Sequence, residues 1–152
     1  MSQNPYSNNV LLNLGIQSLN KMQEVAQQAI LNEDNILLLS PTGSGKTLAF
    51  LLPIFQLLEE DVKGVQCLIL VPSRELGLQI EQVWKKMCTH YKVNTCYGGH
   101  SIDIEINNLS NPPALLIGTP GRIADHLDRA SFATDNIKTY VLDEFDKSLQ
   151  LG

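Results

Sequence analysis

Short apolar runs alternate with longer amphipathic stretches along this chain, and this alternation restricts the fold more than any other feature of the sequence. The short runs are typical of strands that are buried on both faces. They cover residues 36–40, 66–71, 93–97, 114–118 and 138–143. Strands that alternate with helices predict an α/β fold, in which helices cover both faces of a parallel central sheet.

The stretches around the strands have the periodicity of helices. Apolar residues recur at spacings of three and four over residues 76–91, which places them on one side of a helix. This stripe consists of Leu76, Ile80, Val83, Trp84, Met87 and Tyr91. Further helices are predicted at residues 19–31, 46–58, 102–109 and 122–129. Right-handed crossovers between the parallel strands follow from strand twist.

Length and composition agree with a single globular domain. The chain has 152 residues, of which 43% are apolar and 18% charged, so it is long and apolar enough for one core. The polar residues 1–9 are predicted to form a loose arm, and residues 10–152 the domain. No apolar run approaches the ~20 residues of a membrane span. The pattern breaks off soon after the last predicted strand, which leads us to expect one domain of a longer protein.

Charge and cysteine content exclude two classes of protein. Eleven basic and 16 acidic residues give a net charge of −5, so the chain does not hold nucleic acid by bulk positive charge, and any such contact must be local. Cys67, Cys88 and Cys96 are too few and too scattered for a disulfide framework, and they lack the spacing of a zinc site. We therefore expect a reducing, cytoplasmic setting, with the cysteines at core or strand positions.

A glycine-rich segment follows the first predicted strand and opens the next predicted helix, which is the context of a phosphate-binding loop. Gly43 and Gly45 allow a tight turn and present backbone N–H groups to phosphate oxygens. Lys46 would neutralise the β- and γ-phosphates, and the hydroxyl of Thr47 would bind Mg²⁺. The general pattern has glycine where this chain has Ser40, and the alternative is a Gly/Ser turn with a chance lysine. The predicted nucleotide-binding residues of this loop are Ser40, Pro41, Thr42, Gly43, Ser44, Gly45, Lys46 and Thr47.

Two carboxylates end the last predicted strand. Asp143 would hold Mg²⁺, largely through water, and Glu144 would orient or activate the attacking water. A charged strand end is common by itself, so this pair indicates a metal site only in combination with the phosphate loop. The predicted catalytic residues are Lys46, Asp143 and Glu144.

Further motifs follow the remaining predicted strands in a specific order. PSREL occupies residues 72–76, GG residues 98–99, TPGR residues 119–122 and DEFD residues 143–146. With the phosphate loop, this series resembles the first RecA-like domain of the DEAD-box RNA helicases over about residues 15–146. The resemblance implies a RecA-like P-loop NTPase domain that binds ATP with Mg²⁺. Because ligands of open parallel sheets bind beyond the carboxyl ends of the strands, we expect the motifs to gather along one edge.

The resemblance also implies contacts with the sugar-phosphate backbone of RNA. Arg74 and Arg122 can pair with phosphate, the glycines let the backbone approach closely, and Thr119 can donate a hydrogen bond. Such contacts carry no base identity, so binding is expected to be independent of RNA sequence. By itself, TPGR could equally be a helix N-terminus with a threonine cap. The residues implied in RNA binding are Pro72, Arg74, Gly98, Gly99, Thr119, Pro120, Gly121 and Arg122.

A glutamine upstream of the phosphate loop recognises adenine in the family that the chain resembles. Gln23 has the required spacing, although only Gly15 and Gln23 match the family pattern in this segment. An amide can bond adenine N6 and N7 together. The alternative is an exposed helical glutamine. The family also places an aromatic residue further upstream, for which Tyr6 is the nearest candidate.

We therefore expect the ATP-binding first domain of an ATP-dependent RNA helicase. A second RecA-like domain, implied by the resemblance, would complete the γ-phosphate site, so the chain alone is expected to bind nucleotide weakly and to be inactive. Two alternatives stay open: a DNA helicase or translocase of the same fold, and a nucleotide-dependent RNA clamp or scaffold with weak ATPase. The histidines match no catalytic pattern and are expected at the surface or in helix caps, namely His90, His100 and His126.

Overall fold

The computed structural model describes residues 8–150, which fall into two compact units. In chain order the helices and strands are α1 (Asn8–Asn13), α2 (Lys21–Asn32), α3 (Lys46–Leu57), β1 (Cys67–Leu70), α4 (Arg74–Lys86), β2 (Val93–Cys96), α5 (Ile102–Leu109), β3 (Leu115–Gly118), α6 (Pro120–Asp128), β4 (Thr139–Leu142) and α7 (Phe145–Gln150). The first unit contains the described residues up to Leu57, together with Val83–Thr89. The second unit contains Leu58–Gln82 and the described residues from His90 onward.

The second unit is built on a four-stranded parallel sheet. Its strand order is β2-β3-β1-β4, and each pair of neighbours runs parallel. Leu68, for example, lies beside Leu116 of β3 and Tyr140 of β4. Four of the five predicted strands are thus confirmed, with ends one residue shorter at most positions. The α/β fold with a parallel sheet is confirmed as well.

Helices cover both faces of this sheet, as the strand–helix alternation predicts. On one face, Leu109 of α5 and Ile123 of α6 join the buried strand residues Leu68, Cys96 and Leu116 in one apolar cluster. The opposite face receives the first half of α4. There Gly77 lies so close to Thr95 and Ile117 that a Cβ at this position would meet their methyl groups at 3.1 and 3.5 Å.

The first unit is helical in its described part. Helices α2 and α3 pack against each other, and most of the apolar side chains of α3 are buried. The ring of Phe55 meets Trp84 edge to face, with 6.4 Å between the ring centroids. Asn13 at the end of α1 donates a hydrogen bond to the carbonyl of Met87 at 3.2 Å. This contact ties α1 to the segment that follows α4.

The strand predicted at residues 36–40 is wrong. These residues have no regular structure, and Leu39 is 80% exposed. A strand needs a neighbouring strand for its backbone hydrogen bonds. The segment belongs to the first unit, whose described residues contain no strand, so it has no ladder partner there. The phosphate loop therefore follows a largely exposed segment without regular structure rather than a buried strand.

Strand β4 differs from the prediction in its burial. It was expected to be buried on both faces, but Tyr140 is 64% exposed and Leu142 is exposed as well. Strand β4 is an edge strand of the sheet and pairs with β1 alone among the described strands, and its exposed side chains, Tyr140 and Leu142, alternate with the half-buried Thr139 and Val141, so that they share one face. The short helix α7 directly after it was not predicted.

The predicted helices agree with the structure except at their ends. Helices α2, α3 and α5 lie within two residues of their predicted ranges, and α6 begins two residues early, at Pro120. Helix α4 ends at Lys86, so Met87 and Tyr91 lie beyond it, although Met87 is fully buried. Helix α1 begins at Asn8, inside the predicted arm; residues 1–7, including Tyr6, lie outside the described residues. Within residues 8–150, no helix combines the length and the apolar character that crossing a membrane requires.

Candidate nucleotide and nucleic-acid sites

The glycine-rich loop joins an exposed segment to the N-terminus of α3. Gly43 and Gly45 have φ angles of 79° and 90°, in the left-handed region that glycine adopts without a steric penalty. Lys46 is the first residue of α3 and Thr47 the second, and the first turn contains no acidic residue. The partial positive charge of the helix N-terminus is therefore not neutralised by its own side chains. This is the local geometry of an anion-binding loop.

The lysine of this loop is held by the loop itself. The Lys46 ammonium donates a hydrogen bond to the carbonyl of Ser40 at 2.7 Å, and the hydroxyls of Ser40 and Ser44 bond to each other. Both contacts hold Ser40, the first residue of the loop, against residues further along it. An ammonium has three donors, so Lys46 keeps two for a phosphate.

Gln23, in the first turn of α2, contacts the glycine-rich loop. Its amide nitrogen donates to the carbonyl of Gly45 at 3.2 Å, and its amide oxygen accepts from the backbone N–H of Asn20 at 2.9 Å. The Asn20 side chain in turn accepts from the Gln23 N–H at 2.9 Å and donates to the carbonyl of Ser44 at 3.1 Å. Gln23 is only 6% exposed, so the reading as an exposed helical glutamine is wrong.

Asn20 is a site residue that the motif analysis missed. Together with Gln23 it forms a reciprocal capping box at the start of α2. The spacing Asn-x-x-Gln is a recognisable signature of such a cap, and it could have indicated this pair. In this arrangement the cap of one helix also fixes the loop that precedes the next helix.

In the second unit, the four predicted motif segments that follow strands β1–β4 lie at the same edge of the sheet. Because all strand pairs are parallel, the carboxyl ends of the strands lie side by side. Along that edge the order is GG after β2, TPGR after β3, PSREL after β1 and DEFD after β4. The prediction that the motifs share one edge is confirmed for these four segments.

Arg74 of the PSREL segment is exposed at the start of α4. Its guanidinium lies over the ring of Tyr97, 4.7 Å from the ring centroid, and the ring of His100 meets Tyr97 edge to face. Ser73 caps the helix by accepting from the N–H of Leu76 at 3.3 Å. Arg74, Tyr97 and His100 line a cavity of about 530 Å³. Arg74 is thus placed beside the residues that flank the GG pair.

The TPGR segment begins α6. Thr119 is the N-cap residue but its side chain makes no capping hydrogen bond, and Pro120 occupies the first turn. The alternative of a helix N-terminus is therefore confirmed for the positions of Thr119 and Pro120, but the Thr119 hydroxyl makes no capping hydrogen bond and is left for other contacts. Gly121 is exposed. Arg122 is not: its side chain is only 12% exposed and donates to the carbonyl of His100 at 2.9 Å.

A buried carboxylate that the sequence analysis did not single out lies between these segments. Glu105 of α5 accepts from the N–H of Tyr97 at 2.9 Å and contacts His100 at 2.8 Å and His126 at 2.6 Å. His126 is fully buried, so its predicted surface or cap position is wrong. The sequence around His126 gave no indication that it pairs with Glu105, because Glu105 is 21 residues away in the chain.

The cysteines occupy two kinds of position. Cys67 and Cys96 are buried strand residues, as predicted, whereas Cys88 is exposed just after α4. Burial raises the pKa of Cys96 to about 12, and the charge of Glu105 and its hydrogen bond add to the shift, while Arg122 opposes it. Burial also raises the pKa of Cys67. All three thiols are free.

The acidic segment turns sharply between β4 and α7. The N–H of Asp143 donates to the carbonyl of Leu70 at 3.0 Å, which extends the β1–β4 ladder by one bond. Glu144 has a φ of 48°, a conformation that costs energy for a residue with a side chain and that recurs at functional sites. Its carboxylate pairs with Lys147 at 2.8 Å. This hydrogen bond, followed by the charge of Glu144, raises the pKa of Lys147.

Comparison with known proteins gives a consistent family. Residues 20–152 match the DEAD/DEAH box helicase family. The chain is 36% identical over 145 residues to the ATP-dependent RNA helicase DeaD of Escherichia coli K12, covering 93% of this chain and 23% of the relative. It is 39% identical over 133 residues to the ATP-dependent RNA helicase eIF4A of Kluyveromyces lactis, covering 86% of this chain and 34% of the relative.

Solved structures agree with this assignment. A DEAD box protein from the hyperthermophile Methanococcus jannaschii superimposes with a TM-score of 0.90 at 35% identity, covering 99% of this chain and 42% of that one. The yeast DEAD-box splicing factor Prp28 gives a TM-score of 0.81 at 32% identity, covering 94% of this chain and 36% of that one. The chain therefore spans well under half the length of these proteins. The matched range, the motif order and the fold agree, and this chain belongs to the DEAD/DEAH box helicase family.

Proposed function

We propose that this chain is the ATP-binding first domain of an ATP-dependent RNA helicase. The observation that carries the proposal is the loop at residues 40–47, in which two left-handed glycines lead into a helix whose first residue is Lys46 and whose first turn has no acidic residue. Phosphate oxygens would accept hydrogen bonds from the loop N–H groups and from the Lys46 ammonium. Gln23 has one amide hydrogen and one lone pair beyond its contacts with Gly45 and Asn20, which it could use for adenine.

Mg²⁺ is the expected cofactor. Thr47 and Asp143 would hold it, Asp143 largely through water, since hydroxyl and carboxylate oxygens are its preferred ligands. When bound, the ion would neutralise charge on the β- and γ-phosphates. Glu144 would orient the attacking water, and its positive φ, a conformation that costs energy, supports a constrained role.

RNA would lie across the edge formed by PSREL, GG and TPGR. Arg74, at the exposed start of α4, is the residue placed best for a phosphate contact. The exposed Gly98, Gly99 and Gly121 would offer backbone N–H groups, and Thr119 its uncommitted hydroxyl. Arg122 would act mainly by holding the carbonyl of His100, with its remaining N–H groups available to phosphate. Pro72 and Pro120 would set the backbone of their segments.

The whole protein's activity requires more than this chain. The relatives are longer, and a second RecA-like domain would complete the γ-phosphate site, so we expect residues 1–152 to bind nucleotide weakly without appreciable turnover. We also propose that residues 10–152 belong to the RecA-like domain, and that the protein acts in the reducing cytoplasm, where its three free thiols would persist.

ATP hydrolysis tests the proposal. The protein that includes both domains is assayed with and without single-stranded RNA, against DNA of the same sequence and against Lys46→Ala. Lys63→Ala removes an exposed lysine outside the loop and serves as the matched control. Stimulation by RNA, lost in Lys46→Ala and kept in Lys63→Ala, is the expected result. Equal stimulation by DNA would favour a general translocase, and stimulation by neither would favour a clamp or scaffold.

A further inference from the structure

We propose that Glu105 is a positioning residue, which holds the glycine loop (residues 97–100) against the first turns of α6 so that both face RNA as one surface. The inference rests on the proposed RNA function of the GG and TPGR segments. Glu105 lies in the middle of α5 and belongs to neither motif. Its carboxylate nevertheless contacts residues that flank both of them.

One oxygen of the carboxylate holds the two ends of the glycine loop. Oε1 accepts a hydrogen bond from the backbone N–H of Tyr97 at 2.9 Å and lies 2.8 Å from Nε2 of His100. Gly98 and Gly99 lie between these contacts, and Gly99 adopts a φ of 95°. Two adjacent glycines have wide conformational freedom. Fixing the residues on either side is therefore an effective way to hold this loop in one shape.

The other oxygen reaches α6. Oε2 lies 2.6 Å from Nε2 of His126 and 3.8 Å from Nε of Arg122. Arg122 closes a ring of contacts, because its Nη2 donates to the carbonyl of His100 at 2.9 Å. The glycine loop and the TPGR helix are thus joined twice, once through the Glu105 carboxylate and once through Arg122.

The burial of the carboxylate makes this arrangement specific. Glu105 is buried, and a buried carboxylate is tolerated only while hydrogen-bond donors and positive charge surround it. A shift of the loop or of α6 would leave that charge without its donors. The energy of the site is therefore lowest when both segments occupy these positions.

The same cluster has the composition of a metal site, but its contacts favour a hydrogen-bonded centre. Ligand atoms of Cys96, Glu105 and His126 lie within 4.8 Å of one another. Both carboxylate oxygens, however, face N–H donors, and the Arg122 guanidinium lies on the same oxygen as His126. Burial and Glu105 also raise the pKa of the Cys96 thiol, which disfavours the thiolate that a metal would bind.

Hydrogen exchange of residues 1–152 tests the positioning directly. In Glu105→Ala we expect the Tyr97 amide to exchange at least about tenfold faster. The loss of a hydrogen bond to a charged acceptor changes the opening equilibrium of the amide by about this factor or more. The first-turn amides of α6 should also exchange faster, while β1 amides report global opening. Glu105→Gln keeps the shape without the charge, and should lie between wild type and alanine; it also serves if the alanine variant does not fold. Glu60→Gln, which changes an exposed glutamate paired with His90, should match wild type.

RNA-stimulated hydrolysis by the two-domain protein separates this inference from the proposed function. We expect Glu105→Ala and, less strongly, Glu105→Gln to raise the KM for RNA several-fold while kcat at saturating RNA stays unchanged. Unaltered exchange at Tyr97 in both variants would overturn the inference, whatever the RNA result. Faster exchange with an unchanged KM for RNA would overturn it too. If RNA does not stimulate hydrolysis by the wild-type protein, the proposed function is contradicted instead. Hydrogen exchange at Tyr97 would still decide whether Glu105 holds the loop.

Discussion

The side-chain nitrogen of Gln23 donates to the carbonyl of Gly45 at 3.2 Å, and a Cβ built on Gly45 would lie 2.5 Å from that same nitrogen. Helix α2 thus lies so close to the phosphate loop that a side chain at position 45 would collide with the Gln23 amide. Position 45 therefore requires glycine for two reasons. Its backbone approaches Gln23 closely, and its φ of 90° is unfavourable for a residue with a side chain. Both reasons lead to a testable prediction.

Gly45→Ala should lower the free energy of unfolding by about 1–3 kcal/mol, from backbone strain and from displacement of the Gln23 amide. It should also abolish nucleotide binding, because the loop N–H groups move. Thermal unfolding and titration with a fluorescent ATP analogue measure the two effects. Gly64→Ala is the matched control: its φ is 92°, but nothing lies within 4 Å of its added Cβ. Equal destabilisation by both substitutions would show that the Gln23 contact adds nothing.

Gln23→Ala should cost about 1 kcal/mol of stability, because it removes the reciprocal cap of α2. ATP affinity should fall more than GTP affinity if the free hydrogen and lone pair of the amide bind adenine. Calorimetric titration with both nucleotides measures the ratio. Gln28→Ala, on the exposed side of the same helix, should leave stability and affinity unchanged. An equal loss for ATP and GTP would limit Gln23 to its role of holding the loop.

Thr119→Ala should cost less than about 0.5 kcal/mol of stability, because the Thr119 side chain does not cap α6. The same substitution should weaken RNA binding, since it removes a proposed hydroxyl contact. Ser101→Ala gives the opposite pattern: it removes the hydrogen bond that Ser101 accepts from Asp103 N–H, at about 1 kcal/mol, and leaves RNA binding intact. Urea unfolding and fluorescence anisotropy with labelled RNA measure both variants. Intact RNA binding in Thr119→Ala would contradict the assignment.

One thiol of the native protein should react readily with a thiol reagent at neutral pH. Cys88 is exposed, whereas Cys67 and Cys96 are buried with raised pKa values and form little thiolate. Unfolding in urea should make all three reactive. Counting the modified sites by mass spectrometry checks this, and Cys88→Ser should remove the native reaction. Rapid modification of Cys96 in the folded protein would show that its site opens.

The same thiols give stability a pH dependence. The pKa of Cys96 lies at about 12 in the folded state against an ordinary value of 9.0, so the folded protein retains a proton that the unfolded chain loses. The stabilisation from this group is complete below pH 9 and is lost as the pH rises towards 12. Urea unfolding between pH 8 and pH 10 should show a decline that Cys96→Ala reduces. A parallel decline in both proteins would assign it to other groups.

Local patterns in the sequence were sufficient for most of the fold. The helices α2, α3 and α5 could be placed because periodicity of three and four residues is a property of each segment alone. The four paired strands, and the order of motifs at their carboxyl ends, followed from strand–helix alternation and from the geometry of parallel sheets. The chemistry of the phosphate loop was equally local, because Gly43, Gly45 and Lys46 lie within four residues of one another.

The pattern failed where a residue's environment depends on distant neighbours. Residues 36–40 have the composition of a buried strand, yet they have no strand partner in their unit, and Tyr140 of β4 is exposed although the strand is apolar. Composition describes a segment's preference for burial, but only tertiary contacts decide whether a partner is present.

The sequence by itself determined the family, the loop that would bind phosphate and the segments that reach the sheet edge, because each is encoded in a short, contiguous motif. Tertiary structure alone decided that Gln23 holds Gly45, that Arg122 holds the carbonyl of His100, and that Glu105 meets His126 inside the second unit. These contacts join residues 21 or 22 positions apart. A hydrogen bond or a buried charge depends on distances through space, which the spacing of residues along a chain does not contain.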